Sequence, residues 1–123
     1  MIPDIKKRSY KFSLDVIKLI RTLSNDYVSR TIGGQLLRSA TSIGANVIEA
    51  QAGSSKKDFA NYLNIALKSA NESKYWLNLL KDSGIGKGEL VKNLEEDVTQ
   101  IAKILGSSLV TIKKQEQRLK MPQ

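Results

Sequence analysis

The sequence contains no cysteine and no histidine. Those two absences exclude disulfides, thiol nucleophiles, histidine-based triads, histidine-ligated haem and zinc sites built on either residue, so a metal could be held only by carboxylates and carbonyls. Proline occurs only at Pro3 and Pro122, so the whole interior lacks the strongest helix breaker. No stretch approaches the roughly 18 uncharged apolar residues of a membrane span. The opening MIPDIKKRSYKF has neither the apolar run nor the small-residue cleavage site of a signal peptide. These gaps predict a cytoplasmic protein of bacterial type without a membrane partner.

What is present is the balance of one soluble globular domain spanning 1–123, with 41% hydrophobic and 26% charged residues. A chain of 123 residues buries enough surface to fold without a metal or a disulfide. Lys+Arg 20 against Asp+Glu 12 gives a net charge of +8, which favours polyanionic partners without choosing among them.

Apolar residues step by three and four throughout, and no period-two strand pattern competes. Phe12, Val16, Leu19, Ile20 and Leu23 mark a first helix, expected near 8–24. Ile32, Leu36, Ala40, Ile43, Val47 and Ala50 mark a second, near 31–52, thinned by Gly33, Gly34, Ser39, Ser42, Gly44 and Ala45. The string Ser24-Asn25-Asp26 and the pair Gly33-Gly34 bracket the connection between them. Gly53 is expected to stop the second helix and Ser55 to cap the third, with Asp58 completing an acidic variant of the capping box. The third helix is expected near 55–82 and the fourth near 88–116, separated by Ser83-Gly84-Ile85-Gly86-Lys87-Gly88. Long helices on short loops predict an all-α, up-down-up-down antiparallel four-helix bundle. They are too long for a helix-turn-helix DNA-binding domain.

Two segments invite a chemical reading that their context does not support. Gly84 to Gly88 resembles a phosphate loop, but a helix precedes it and Gly88-Glu89 replaces the Gly-Lys-Ser/Thr ending, so it reads as an interhelical turn. Glu95-Glu96-Asp97 diverge by about 100° per residue on a helix and form a solvated face, not a cation site.

The second helix also carries Gln35, Arg38, Ser42, Asn46 and Glu49, a polar stripe beside the apolar one and therefore expected to be half buried. If the third helix returns antiparallel, facing residues sum to about 110, which pairs Arg38 with Glu72, Asn46 with Asn64 and Glu49 with Asn61. Mutual satisfaction that sets register is the leading account of the stripe, with an oligomer interface and a ligand pocket as alternatives. Tyr10, Tyr27, Tyr62, Tyr75 and Trp76 read as core or interface residues, with base stacking as the alternative. A serine without histidine or a well-placed lysine is a poor nucleophile, so no catalytic residue and no cofactor is expected.

The run Gln35-Leu36-Leu37-Arg38-Ser39-Ala40-Thr41-Ser42-Ile43-Gly44-Ala45-Asn46-Val47-Ile48-Glu49 resembles the Q-L-x-R-[SA]-x-x-S-I-x-x-N-I-x-E signature of the bacterial four helix bundle proteins, also called 23S rRNA intervening-sequence proteins. Phe59, Leu63, Ile65-Ala66-Leu67, Ser69, Glu72, Leu77 and Leu80 are similar to that family's second block, and Phe12-Ser13-Leu14 with Val16 to the approach before the signature. The match covers about residues 10 to 82 and departs at Val47, where isoleucine is usual, and at Ala50, where glycine often follows the glutamate. The resemblance implies the up-down bundle and no enzyme activity. It also implies a homo-oligomer, a pentamer by analogy with relatives that include the accessory protein of diversity-generating retroelements, whose basic surface engages RNA and reverse transcriptase. The family name records a gene location inside an rRNA gene and does not itself establish ribosome binding.

The expected function is a non-enzymatic, self-assembling basic bundle that binds RNA or a nucleoprotein; the alternative is an assembly module that binds no nucleic acid. Assembly is expected from the thin patches of the second helix and from surplus apolar positions on the third and fourth. The expected nucleic-acid surface is Lys6, Lys7, Arg8 and Lys11 with Lys113, Lys114, Arg118 and Lys120, because an up-down bundle brings both termini to one end as a single basic rim.

Overall fold

In a computed structural model, which describes residues 4–120, the chain forms four helices: α1 (Ile5–Thr22), α2 (Tyr27–Ala52), α3 (Lys56–Asp82) and α4 (Glu89–Lys120). Each helix packs on two neighbours, α1 on α2 and α4, α3 on α2 and α4, which is the square section of an antiparallel four-helix bundle. The core is the row of apolar positions that the periodicity marks: Phe12, Val16 and Leu19 from α1, and Leu36, Ala40, Ile43 and Val47 from α2. Leu63, Ala66, Ala70, Leu77 and Leu80 come from α3, and Val91, Leu94, Val98, Ile101 and Leu105 from α4. Ile5, buried in the first turn of α1, also belongs to it.

The second helix begins four residues earlier than expected. Asp26 is its N-cap, accepting from the Ser29 amide at 2.9 Å and the Ser29 hydroxyl at 2.9 Å. Gly33 and Gly34 therefore lie inside the helix and do not break it. A Cβ at Gly33 would stand 3.3 Å from Leu23, the C-cap of α1, and 3.8 Å from Ile20, so the missing side chain serves close approach between helices.

Ser55 caps α3 as expected, its hydroxyl accepting from the Asp58 amide at 3.1 Å. The return half of the box is absent: the Asp58 carboxylate accepts from the Ser54 hydroxyl at 3.4 Å. Gly53 ends α2 in an extended conformation, where a Cβ would meet the Ala50 carbonyl oxygen and the Asp58 Cβ at 3.2 Å each. Lack of room at the corner, and not a left-handed turn, is what the glycine supplies.

The turn between α3 and α4 does use positive φ, at Gly84 (78°) and Gly88 (86°). Two of its glycine amides are already donated to α3, Gly84 to the Lys81 carbonyl at 3.1 Å and Gly86 to the Leu80 carbonyl at 2.9 Å. They terminate a helix and are not free to cradle a phosphate.

The helices are unequal, and that shapes one end of the molecule. At 1.5 Å per residue α1 is about 27 Å long, α2 and α3 about 40 Å and α4 about 48 Å. Measured from the α1–α2 turn, α1 starts one to two turns short of the end of α2. The opening left there is a cleft of about 570 Å³ among Ile5, Val47, Ala50, Phe59 and Leu63. Beyond Leu105 no residue of α4 is buried; Leu109 and Ile112 are half covered.

Candidate nucleic-acid interface

The polar stripe of α2 meets α3 in the antiparallel register expected. Arg38 forms an ion pair with Glu72, and Gln35 holds the same guanidinium by accepting from Nε at 2.9 Å. Glu72 Oε2 also accepts from the Trp76 indole at 2.9 Å. One layer in, the Ser39 and Ser73 hydroxyls are 2.8 Å apart and fully buried, and Ser69 donates to the Ser42 hydroxyl at 2.9 Å. Three cross-helix pairs whose numbers sum to 110, 112 and 111 fix the register.

Two other pairs do not form. Asn46 turns back on its own helix, donating to the Ser42 carbonyl at 2.8 Å and the Ser42 hydroxyl at 3.0 Å, while Asn64, Glu49 and Asn61 are exposed. Near the α2–α3 corner water reaches these groups, so nothing forces them together. The stripe is half buried at Gln35, Ser42 and Asn46 and exposed at Arg38 and Glu49; the side chain of Arg38 is 58% exposed and that of Glu72 36%. An ion pair at that exposure aligns the helices and adds little stability.

The cations of the two termini occupy one half of the molecule but not a single rim. Arg8 donates to the Gln100 side chain, thirteen residues before Lys113, which is about 20 Å along α4. Lys6, Lys7, Arg8 and Lys11 thus stand on the flank, and Lys113, Lys114, Arg118 and Lys120 run beyond the start of α1 to the tip. Lys11 is tied to Asp15 at 2.7 Å, and the hydrogen bond with that carboxylate, reinforced by its charge, raises the lysine pKa. Its charge is therefore partly spent within the chain.

At the tip the structure adds two cations that reasoning from the termini missed. Lys56 and Lys57 open α3, and because α3 and α4 leave a shared turn antiparallel, these lysines lie level with residues about 26 along α4, the stretch that carries Lys113 and Lys114. Up-down topology brings the α2–α3 corner to the same end of the bundle as the chain termini, which is the signal for them in the sequence. Six cations, Lys56, Lys57, Lys113, Lys114, Arg118 and Lys120, are all exposed there, against Asp58 and Glu116.

The aromatics divide. Trp76 and Tyr62 pack against the core, whereas Tyr10, Tyr27 and Tyr75 are exposed. Tyr75 meets Trp76 edge to face, with centroids 5.0 Å apart. Among the described residues no three carboxylates gather where they could hold a metal ion, and no helix is long and apolar enough to cross a membrane.

The model of the 23S rRNA-intervening sequence protein family matches residues 3–107, which takes in the seam and the flank cations. The chain belongs to that family. A crystal structure of a protein of unknown function from the S23 ribosomal protein family of Bacteroides thetaiotaomicron is similar to it, at 41% identity and a TM-score of 0.78, covering 85% of this chain and 94% of the other. No curated protein matches. The family match stops at residue 107, so the tip cations of α4 lie outside the segment that this chain shares with the 23S rRNA-intervening sequence proteins.

Proposed function

We propose that the protein is a non-enzymatic basic scaffold that self-assembles and binds RNA or a nucleoprotein through the α3–α4 tip. The observation that supports this reading is that Lys56 and Lys57 lie at the same end of the bundle as Lys113, Lys114, Arg118 and Lys120, residues far apart in sequence and nearly unopposed by acids. Lys6 and Lys7 extend the positive surface along the flank. Neutralising phosphates releases counterions, so RNA affinity falls steeply with salt. Replacing Lys113, Lys114, Arg118 and Lys120 by glutamine reduces the slope of log K against log salt by up to about 3, with helicity unchanged. RNA binding that ignores both salt and these substitutions, or no binding at low salt, leaves the assembly module without nucleic acid as the better account.

Self-assembly rests on apolar side chains left outside the core on α3 and α4, Ile65, Tyr75 and Val110 among them. The small residues of α2 support it less than their sequence suggests, since Gly33 and Gly44 face α1 and Ser39 faces α3. A closed ring, five copies by the family resemblance, repeats the basic tip around an axis. Light scattering is expected to give several times the mass of one chain, and a strict monomer at micromolar concentration overturns the scaffold.

A further inference from the structure

The outer face shared by α1 and α2 holds a groove of about 700 Å³ that the basic tip does not use. Its walls are Tyr10, Leu14 and Ile17 on one side and Ile48 on the other, and its floor is Thr41, Gly44 and Ala45. Tyr10 is 67%, Leu14 44% and Ile48 50% exposed, high values for side chains that line a single groove. Gly44 faces Ser9 of α1, from which a Cβ at this position would stand 3.7 Å, and as a residue without a side chain it adds nothing to the height of the floor. Lys6 and Lys7 stand at one end, while Glu49, the next residue after Ile48, does not line the groove.

We infer that this groove docks an amphipathic helix of another protein, with apolar residues at i, i+3 or i+4 and i+7 and carboxylates facing Lys6 and Lys7. From Lys6 to Ile17 the wall runs about 17 Å, the length of three turns of a partner helix. Small floor residues admit a helix, whose apolar row fills the groove while its acids meet the two lysines. A second copy of this chain fits the groove less well: beside its exposed apolar residues Glu72 is already held by Arg38 and Trp76, Glu116 sits among Lys113, Lys114, Arg118 and Lys120, and Asp26, next to Tyr27 and Val28, is held by Ser29 as the cap of α2.

The test uses the full chain and a fluorescein-labelled synthetic helix of about 16 residues with a leucine row and glutamates at one end, beside the same peptide with lysines for glutamates. The acidic peptide is expected to bind at least about tenfold more tightly than the basic one. Ala45→Arg, on an exposed position, fills the floor and is expected to weaken binding at least about tenfold without altering helicity. Lys6→Glu with Lys7→Glu should reverse the peptide preference. Equal binding of both peptides, or indifference to Ala45→Arg, overturns the inference. A fall in particle mass on Ala45→Arg assigns the groove to a second copy, and loss of flotation with phosphatidylglycerol vesicles in that variant, with peptide binding intact, assigns it to a bilayer; either result also overturns it. Because Ala45 lies away from the α3–α4 tip, failure here is distinguishable from failure of the RNA reading.

Discussion

The α2–α3 seam and the free half of α4 are built from the same helical period and end in opposite states. Along the seam each turn is closed by a buried side chain or a cross-helix hydrogen bond: Ser39 with Ser73, Ser42 with Ser69, and Ala66, Ala70 and Leu77 filling between. Along α4 beyond Leu105 the period continues through Leu109 and Ile112, yet both are only half covered, and the outward positions are cationic. Periodicity chooses which face of a helix points inward. How much of that face is buried depends on whether a neighbour is long enough to reach it, and α1 is not.

The largest effect expected from this contrast is in paired truncations. Leu77→Ala removes a fully buried side chain from the seam and should cost about 2–5 kcal/mol in urea unfolding. Ile112→Ala removes a similar volume from the free half and should cost less than about 1.5 kcal/mol, since the site is already open to water. Equal losses would mean that the end of α4 is covered in solution, as assembly would cover it.

A smaller effect is expected where the seam turns. Ser55→Ala removes the acceptor for the Asp58 amide and should cost about 1 kcal/mol, with Ser55→Asp restoring the loss. No loss on the alanine change would mean that water or Ser54 caps α3 equally well.

Smaller again is the ion pair at the wet edge of the seam. A double-mutant cycle on Arg38 and Glu72 should give a coupling below about 1 kcal/mol, because both side chains are more than a third exposed. A coupling well above this would show that a neighbouring subunit covers the pair.

The smallest effect is at the start of α2. The Ser29 backbone amide, and then its hydroxyl, hold the Asp26 carboxyl below its ordinary pKa. A carboxyl depressed in the folded state contributes stability that is fully present above the unfolded aspartate pKa and is lost as pH falls through the lower, folded value. Asp26→Asn keeps an acceptor at the cap and should flatten that acid-side loss while leaving neutral-pH stability nearly unchanged. An identical acid profile in the variant would remove Asp26 from the account.

Much of this was legible along the chain. The four helices, Ser55 as a cap and the seam register that brings Arg38 to Glu72 all follow from spacing and from the sum rule of an antiparallel pair. The start of α2 was not, because Gly33-Gly34 reads as a break until Leu23 and Ile20 are seen to pack on Gly33. Asp26 with Ser29 was the signal that could have moved the boundary.

What the sequence determined by itself is therefore what short-range physics governs: helical period, caps, and the pairing of neighbours joined by a tight turn. Only the tertiary structure decided which of those faces stay wet. Unequal helix lengths leave the end of α4 exposed, put Lys56 and Lys57 level with that end, separate the flank cations from the tip, and open the cleft where α1 starts short of the end of α2. Burial is a property of what stands opposite, and no local pattern encodes how far the opposite helix extends.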